Sequence, residues 1–212
     1  MSNIFSGVYV VGGLRDHPNM QKFEHTLIEI LSAGIRIFQF RAKEDLCDRD
    51  HLLWARRIRA ITREHGAYFF VNDRPDICVL CDADGMHIGP RDFEVEDIRK
   101  IIGQDRMLGV SCHNAQDFQK YKQSSNVNYL SVGPIYATDC KKIPDPIVGT
   151  DLLRHCLQET DLPIVAIGGI TPLNLRNVLE TGVDCIGVIR GIWTASHPHL
   201  AAKEYLSFFN RH

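Results

Sequence analysis

Short apolar runs punctuate the chain, and each is followed by a longer stretch whose apolar positions recur every third or fourth residue. The runs are Val8–Val11, Ile35–Phe40, Tyr68–Val71, Gly85–Ile88, Leu108–Ser111, Tyr129–Val132, Ile164–Ile167 and Cys185–Ile189. They are rich in Val and Ile and mostly continuous rather than alternating, which is the pattern of strands covered on both faces. The stretches between them predict helices. Gln21–Ala33 presents Phe23, Leu27, Ile30 and Leu31 and stops at Gly34. Arg49–His65 presents Leu52, Leu53, Trp54, Ala55, Ile58 and Ile61 and stops at Gly66. Pro75–Leu80, Val95–Ile102, Asn114–Gln123, Thr150–Gln158, Pro172–Glu180 and His199–Phe209 complete the series. Thr171-Pro172 reads as an N-cap with proline at the first helical position, and Thr181-Gly182 as the stop.

Strand–helix alternation implies a parallel sheet. Eight repeats that begin with a strand and end with a helix suit a closed (β/α)8 TIM barrel, one domain over residues 1–212. The other architecture with this alternation is an open doubly wound sheet. No G-x-G-x-x-G follows the first apolar run, which counts against its dinucleotide-binding form.

Composition narrows the partners. The chain has 212 residues, 44% hydrophobic and 24% charged, with a formal net charge of -2. Nucleic-acid binders usually carry a basic face or tail, so this balance disfavours one. No window holds 18 consecutive apolar residues, so no membrane span is expected. The start, Met1-Ser2-Asn3-Ile4-Phe5, lacks the pattern of a signal peptide. Seven scattered cysteines are an odd count that fits a reducing, cytoplasmic setting. Cys78 and Cys81 have metal-like spacing without a second pair, and their apolar surroundings predict buried packing.

A barrel concentrates its chemistry after the strands. The second run leads into Gln39-Phe40-Arg41-Ala42-Lys43. Residues two apart in an extended chain share a face, so Gln39, Arg41 and Lys43 point one way. An amide, a guanidinium and an ammonium on one face suit an anion such as a phosphate; ion pairing with Glu44 and Asp45 is the alternative. The third run ends at Asn72-Asp73-Arg74 and the fourth leads to Pro90-Arg91-Asp92. Asp73 and Asp92 could share a hard cation such as Mg2+, or serve as a local cap and a partner of Arg74. Ser111 and His113 follow the fifth run as a phosphate donor and a proton carrier, or as local backbone partners. After the sixth run, Gly133–Lys142 opens a loop in which Thr138 and Lys141 could fold over an anion. The seventh run ends in Gly168-Gly169 and the eighth in Ile189-Arg190-Gly191, where backbone amides could receive a phosphate. Two anion sites suggest a reaction that joins two phosphorylated halves.

Taken together these motifs resemble the thiamine-phosphate synthase family, with the thiazole tautomerases as near neighbours. The resemblance runs from Val8 to about Ile192. It rests on Gln39-x-Arg41-x-Lys43, Val71-Asn72-Asp73-Arg74, Gly85-Met86-His87-Ile88-Gly89 with Asp92, Gly109-Val110-Ser111-x-His113, Gly133-Pro134-Ile135-Tyr136 with Thr138 and Lys141, and Ile167-Gly168-Gly169-Ile170. It implies that hydroxymethylpyrimidine diphosphate loses pyrophosphate and that the nitrogen of a hydroxyethylthiazole phosphate attacks the methylene. It implies that Gln39, Arg41 and Lys43 hold the diphosphate with Asn72 and Ser111, and that Asp73 and Asp92 carry Mg2+. Thr138, Lys141 and Gly168 would lie near the pyrophosphate and the thiazole phosphate, beside Ile189 and Arg190. Arg41, Lys43 and Lys141 would be the catalytic cations. The expected partners are small phosphorylated substrates, with a homodimer compatible with the resemblance.

Three segments depart from the family pattern. Cys140 stands for a threonine before Lys141, Pro90-Arg91 precede Asp92 in place of Gln-Glu, and Arg190 stands for a serine. The acidic pair favours the synthase. His113 and Cys140 keep open a thiazole tautomerase-type isomerase, and a phosphate-ligand-binding barrel without catalysis is the third reading.

Overall fold

A computed structural model of the chain describes residues 4–43, 46–138 and 146–209. Among them eight parallel strands close into a barrel in chain order: β1 (Gly7–Gly12), β2 (Ile37–Phe40), β3 (Tyr68–Asn72), β4 (Gly85–Ile88), β5 (Met107–Cys112), β6 (Tyr129–Val132), β7 (Ile164–Ile167) and β8 (Cys185–Val188). Closure is made by β1 against β8, with Gly7 beside Cys185 and Val10 beside Val188.

Strand periodicity sorts each run onto two faces. Val8, Val10, Phe38, Phe40, Phe69, Val71, Met86 and Ile88 face outward and pack with helix residues such as Phe23, Leu27, Trp54 and Ile58. Phe5, Tyr9, Val11, Ile37, Phe70, Tyr129, Val165 and Cys185 form a second cluster inside the barrel. Because both faces are buried, the strands read as unbroken apolar runs. Large and small residues alternate to fill the interior. Gly109 pairs in register with Tyr129, and a Cβ on Gly109 would fall 2.0 Å from the tyrosine ring. Toward the C-terminal ends the lining turns polar, with Gln39, Asn72, His87 and Ser131 all buried.

The helices are α1 (Met20–Ser32), α2 (Asp48–Glu64), α3 (Pro75–Leu80), α4 (Val95–Ile102), α5 (Ala115–Tyr121), α6 (Gly149–Glu159), α7 (Leu175–Leu179), α8 (Arg190–Trp193) and α9 (Pro198–Ser207). Side chains of Asn19 and Asn114 cap α1 and α5. None of these helices is long and apolar enough to cross a membrane.

Two sequence expectations need correction. Helix α7 does not begin at Pro172. Asn174 accepts from the Thr171 amide at 2.8 Å and donates to the Gly169 carbonyl at 3.0 Å, so residues 171–174 form a turn before Leu175. An asparagine that bonds nearby backbone competes with helix at that point. The second is α8, which the pattern did not predict; four residues are too few to show a period. The Cys78 and Cys81 side chains are buried, as expected, and their thiols donate to the carbonyls of Gly85 and Cys78 respectively. Burial pushes the Cys78 thiol up to about 12 and the Cys81 thiol up to about 11.

Candidate active site

A cavity of about 340 Å3 opens at the C-terminal ends of the strands. Gln39, Arg41, Asn72, Ser111, Thr138, Gly168, Ile189 and Arg190 all line it. The two anion sites anticipated from opposite ends of the chain therefore face one space. Lys43, Asp73 and Asp92 are not in its wall. Lys141 and Cys140 lie outside the described residues, as do Glu44 and Asp45.

The β2 and β3 part of the wall is preorganised. Gln39 Nε2 donates to Asn72 Oδ1 at 2.9 Å, and both side chains are buried. That bond leaves the Gln39 oxygen and the Asn72 nitrogen to other partners. Arg41 stands two residues beyond Gln39 and lines the same cavity.

From the cavity wall, where His87, Ser111 and Ser131 stand, a chain of hydrogen bonds that the sequence does not announce runs into the barrel interior. His87 Nε2 lies 2.8 Å from Ser111 Oγ, and its Nδ1 lies 2.9 Å from the Tyr129 hydroxyl. The Tyr129 hydroxyl lies 2.9 Å from that of Tyr9. Ser131 Oγ donates to Ser111 Oγ at 3.3 Å. Burial raises the pKa of both phenols, so they stay neutral and act only as hydroxyl donors and acceptors. The chain fixes the Ser111 hydroxyl. Its signal in the sequence was a single polar residue at an inward position of an apolar run, His87 in β4 and Ser131 in β6.

Beside this wall, Lys43, Asp73 and Asp92 form a group of their own. Lys43 Nζ pairs with Asp73 Oδ2. The alternative partner, Arg74, binds Asp76 and Asp48 instead. Asp92 Oδ2 accepts from the Gly89 amide at 2.7 Å, which holds that carboxylate at the end of β4. Burial chiefly raises the Asp73 pKa; Lys43 pulls it down and the adjacent Asp92 pushes it up. Two adjacent carboxylates, one of them paired with a lysine, are a hard-oxygen donor set that suits a divalent cation. Among the described residues no three His, Cys, Asp or Glu side chains gather for a metal. A cation held by this pair would complete its shell from water and substrate oxygens, as Mg2+ commonly does.

The remaining wall is backbone. Ile135 and Tyr136 amides donate to Ile167 and Gly168 carbonyls, both at 3.0 Å, which ties the segment after β6 to the segment after β7. Gly168 and Gly169 both adopt positive φ, 101° and 64°, which a side chain would strain. His113 also lines the cavity, with Nδ1 2.8 Å from the Gly133 carbonyl. A carbonyl only accepts, so Nδ1 carries the proton in the neutral ring.

Comparison with known proteins gives this arrangement a family. The family model described as thiamine monophosphate synthase matches residues 8–192. The chain is similar to the thiamine-phosphate synthase of Geobacillus thermodenitrificans, 38% identical over 182 residues, covering 84% of this chain and 81% of that one. It is also similar to the thiamine-phosphate synthase of Prochlorococcus marinus, 36% identical over 192 residues and 91% of this chain. The chain spans about half, 54%, of that longer relative. Among solved structures, the thiamine phosphate pyrophosphorylase of Pyrococcus furiosus superposes with a TM-score of 0.85 at 30% identity, covering 97% of each chain. A barrel with this polar mouth, matched along most of its length by sequence and by structure, belongs to the thiamine monophosphate synthase family of transferases.

Proposed function

We propose that the chain is a thiamine-phosphate synthase whose chemistry takes place at the barrel mouth. In that reaction the C–O bond of hydroxymethylpyrimidine diphosphate breaks and pyrophosphate leaves with the electron pair. The nitrogen of the hydroxyethylthiazole phosphate then bonds the methylene, and thiamine phosphate is formed. The observation that carries the reading is convergence. Gln39, Arg41, Asn72 and Ser111 share one cavity with Gly168, Ile189 and Arg190, and an acidic pair stands alongside.

Each group has a task in this reading. Gln39 and Arg41 hold the diphosphate from β2, and Lys43 adds a cation next to the acidic pair. Asn72 and the Ser111 hydroxyl bind the same substrate, the latter fixed from below by His87. Asp73 and Asp92 would hold Mg2+, which when bound supplies positive charge to the departing pyrophosphate. Arg41 stabilises the same charge as it develops. The amides around Gly168 and Ile189–Arg190 receive the thiazole phosphate, with Thr138 beside them. The role of Lys141 rests on the family resemblance. No protein nucleophile is needed, since the thiazole nitrogen attacks. What the chain supplies is alignment of two bound molecules.

One observation favours a second reading. His113 is held with its proton on Nδ1, which leaves Nε2 as the basic atom for a thiazole tautomerase. The acidic pair has no task in such an isomerase. Mixing both substrates with Mg2+ decides between them. A synthase releases thiamine phosphate and pyrophosphate in equal amounts. Isomerised thiazole phosphate without coupling points to the tautomerase, and binding without any product points to a sensor.

A further inference from the structure

The part of the wall assigned to the thiazole phosphate depends on a helix that cannot stand by itself. Helix α8 has four residues, Arg190–Trp193, and an isolated helix of that length is unstable. Its first turn carries Ile189, Arg190 and Gly191 into the cavity wall. At one end it continues from β8. At the other end Trp193 is fully buried, with its ring against Phe23 and Phe38.

The loop between β1 and α1 grips that residue twice. Trp193 Nε1 donates to the Gly13 carbonyl at 3.2 Å. His17 Nε2 lies 2.8 Å from the Trp193 carbonyl, and the two rings meet edge to face at 5.0 Å. A carbonyl only accepts, so the proton sits on Nε2 in the neutral ring. The Trp193 carbonyl is at the C-terminal end of α8, where the helix has no partner for it. Nδ1 of His17 is buried with no hydrogen-bond partner among the described residues. An unsatisfied buried nitrogen costs stability, and an apolar side chain here would avoid that cost. A histidine therefore has one use at this place, the bond from Nε2.

We propose that His17 is a positioning residue for the thiazole-phosphate site. It fixes the peptide that ends α8, and through α8 it sets the backbone of Ile189–Gly191. The Gln39–Asn72 bond that holds the β2 and β3 wall is made without His17 or α8, and the ring contact of Trp193 with Phe38 does not depend on the His17 donor. The inference rests on the proposed function for the identity of the phosphate, and its test is separable from that reading.

The test measures binding by calorimetry, with the thiazole phosphate as one probe and inorganic pyrophosphate with Mg2+ as the other. His17→Phe keeps an aromatic ring against Trp193 and removes the donor. His17→Gln keeps a donor near the position of Nε2. The phenylalanine variant should bind thiazole phosphate roughly three- to tenfold more weakly, the worth of one hydrogen bond. Its pyrophosphate affinity should stay unchanged, and the glutamine variant should match the unaltered chain for both probes. Equal losses for both probes, no loss for either, or a loss that glutamine does not restore would each overturn the brace. A chain that binds thiazole phosphate with this pattern but makes no thiamine phosphate refutes the synthase and leaves the brace standing. A chain that does not bind thiazole phosphate removes both the site and its brace.

Discussion

Asp73 sits at a φ of 62°, where few residues with a Cβ are comfortable. Aspartate and asparagine tolerate that region because their short polar side chains bond locally. Asp73→Asn therefore removes the charge and spares the backbone. The Mg2+ concentration that gives half-maximal thiamine phosphate synthesis should rise roughly ten- to hundredfold, the usual effect of disturbing groups around a metal. The melting temperature should move little. An unchanged Mg2+ titration would rule out Asp73 as a ligand. At this scale the sequence was informative where residues two apart carried matching chemistry, as Gln39 and Arg41 do. It was less informative for Asp73 and Lys43, since the ion pair joining them comes from neighbouring strands. His87 stood in a motif without a role of its own because its partners, Ser111 and the Tyr129 hydroxyl, lie on other strands.

Among the elements, α5 shows how a local signal holds a site residue. Asn114 Oδ1 accepts from the Asp117 amide at 2.8 Å, and Asp117 Oδ2 accepts from the His113 amide at 2.9 Å. These bonds close the start of the helix much as a capping box does, except that the return bond comes from the residue before the cap. Asn114→Ala should cost about 1 kcal/mol of folding stability, the typical worth of an N-cap, measured by urea unfolding. The synthase rate should remain close to normal, because Asn114 does not line the cavity. Loss of stability well beyond that figure would mean that the cap also supports β5. Long amphipathic elements such as α2 were legible because their period repeats over several turns. The turn before α7 and the whole of α8 were not, since the turn hangs on the local bonds of one asparagine and α8 has too few residues to show a pattern.

For the molecule as a whole, closure of the barrel controls what solvent can reach. Cys47 is exposed, whereas Cys78, Cys81, Cys112, Cys156 and Cys185 are buried. Burial pushes the Cys78 and Cys156 thiols up to about 12 and raises that of Cys185 as well, so neither burial nor ionisation favours reaction near neutral pH. Alkylation of the native protein followed by peptide mapping should label Cys47 well before the five buried thiols. The five buried thiols should react only at the rate of global unfolding. Labelling of Cys185 as fast as Cys47 would contradict the β1–β8 closure, since Cys185 pairs with Gly7 at that seam.

Apart from α8, the order of strands and helices, and the parallel barrel it implies, followed from the sequence alone, because period and apolar continuity are written into each local segment. So did the acidic and basic residues that follow the strands. Tertiary structure alone decided which of them meet. Closing the barrel brought residues after β2 and residues after β8 around one cavity, and it put Asp73 beside both Lys43 and Asp92. It also set His17 against Trp193, 176 positions away in the chain. Such contacts depend on strand register and on the burial of both faces at once, and neither is a property of any short stretch of residues.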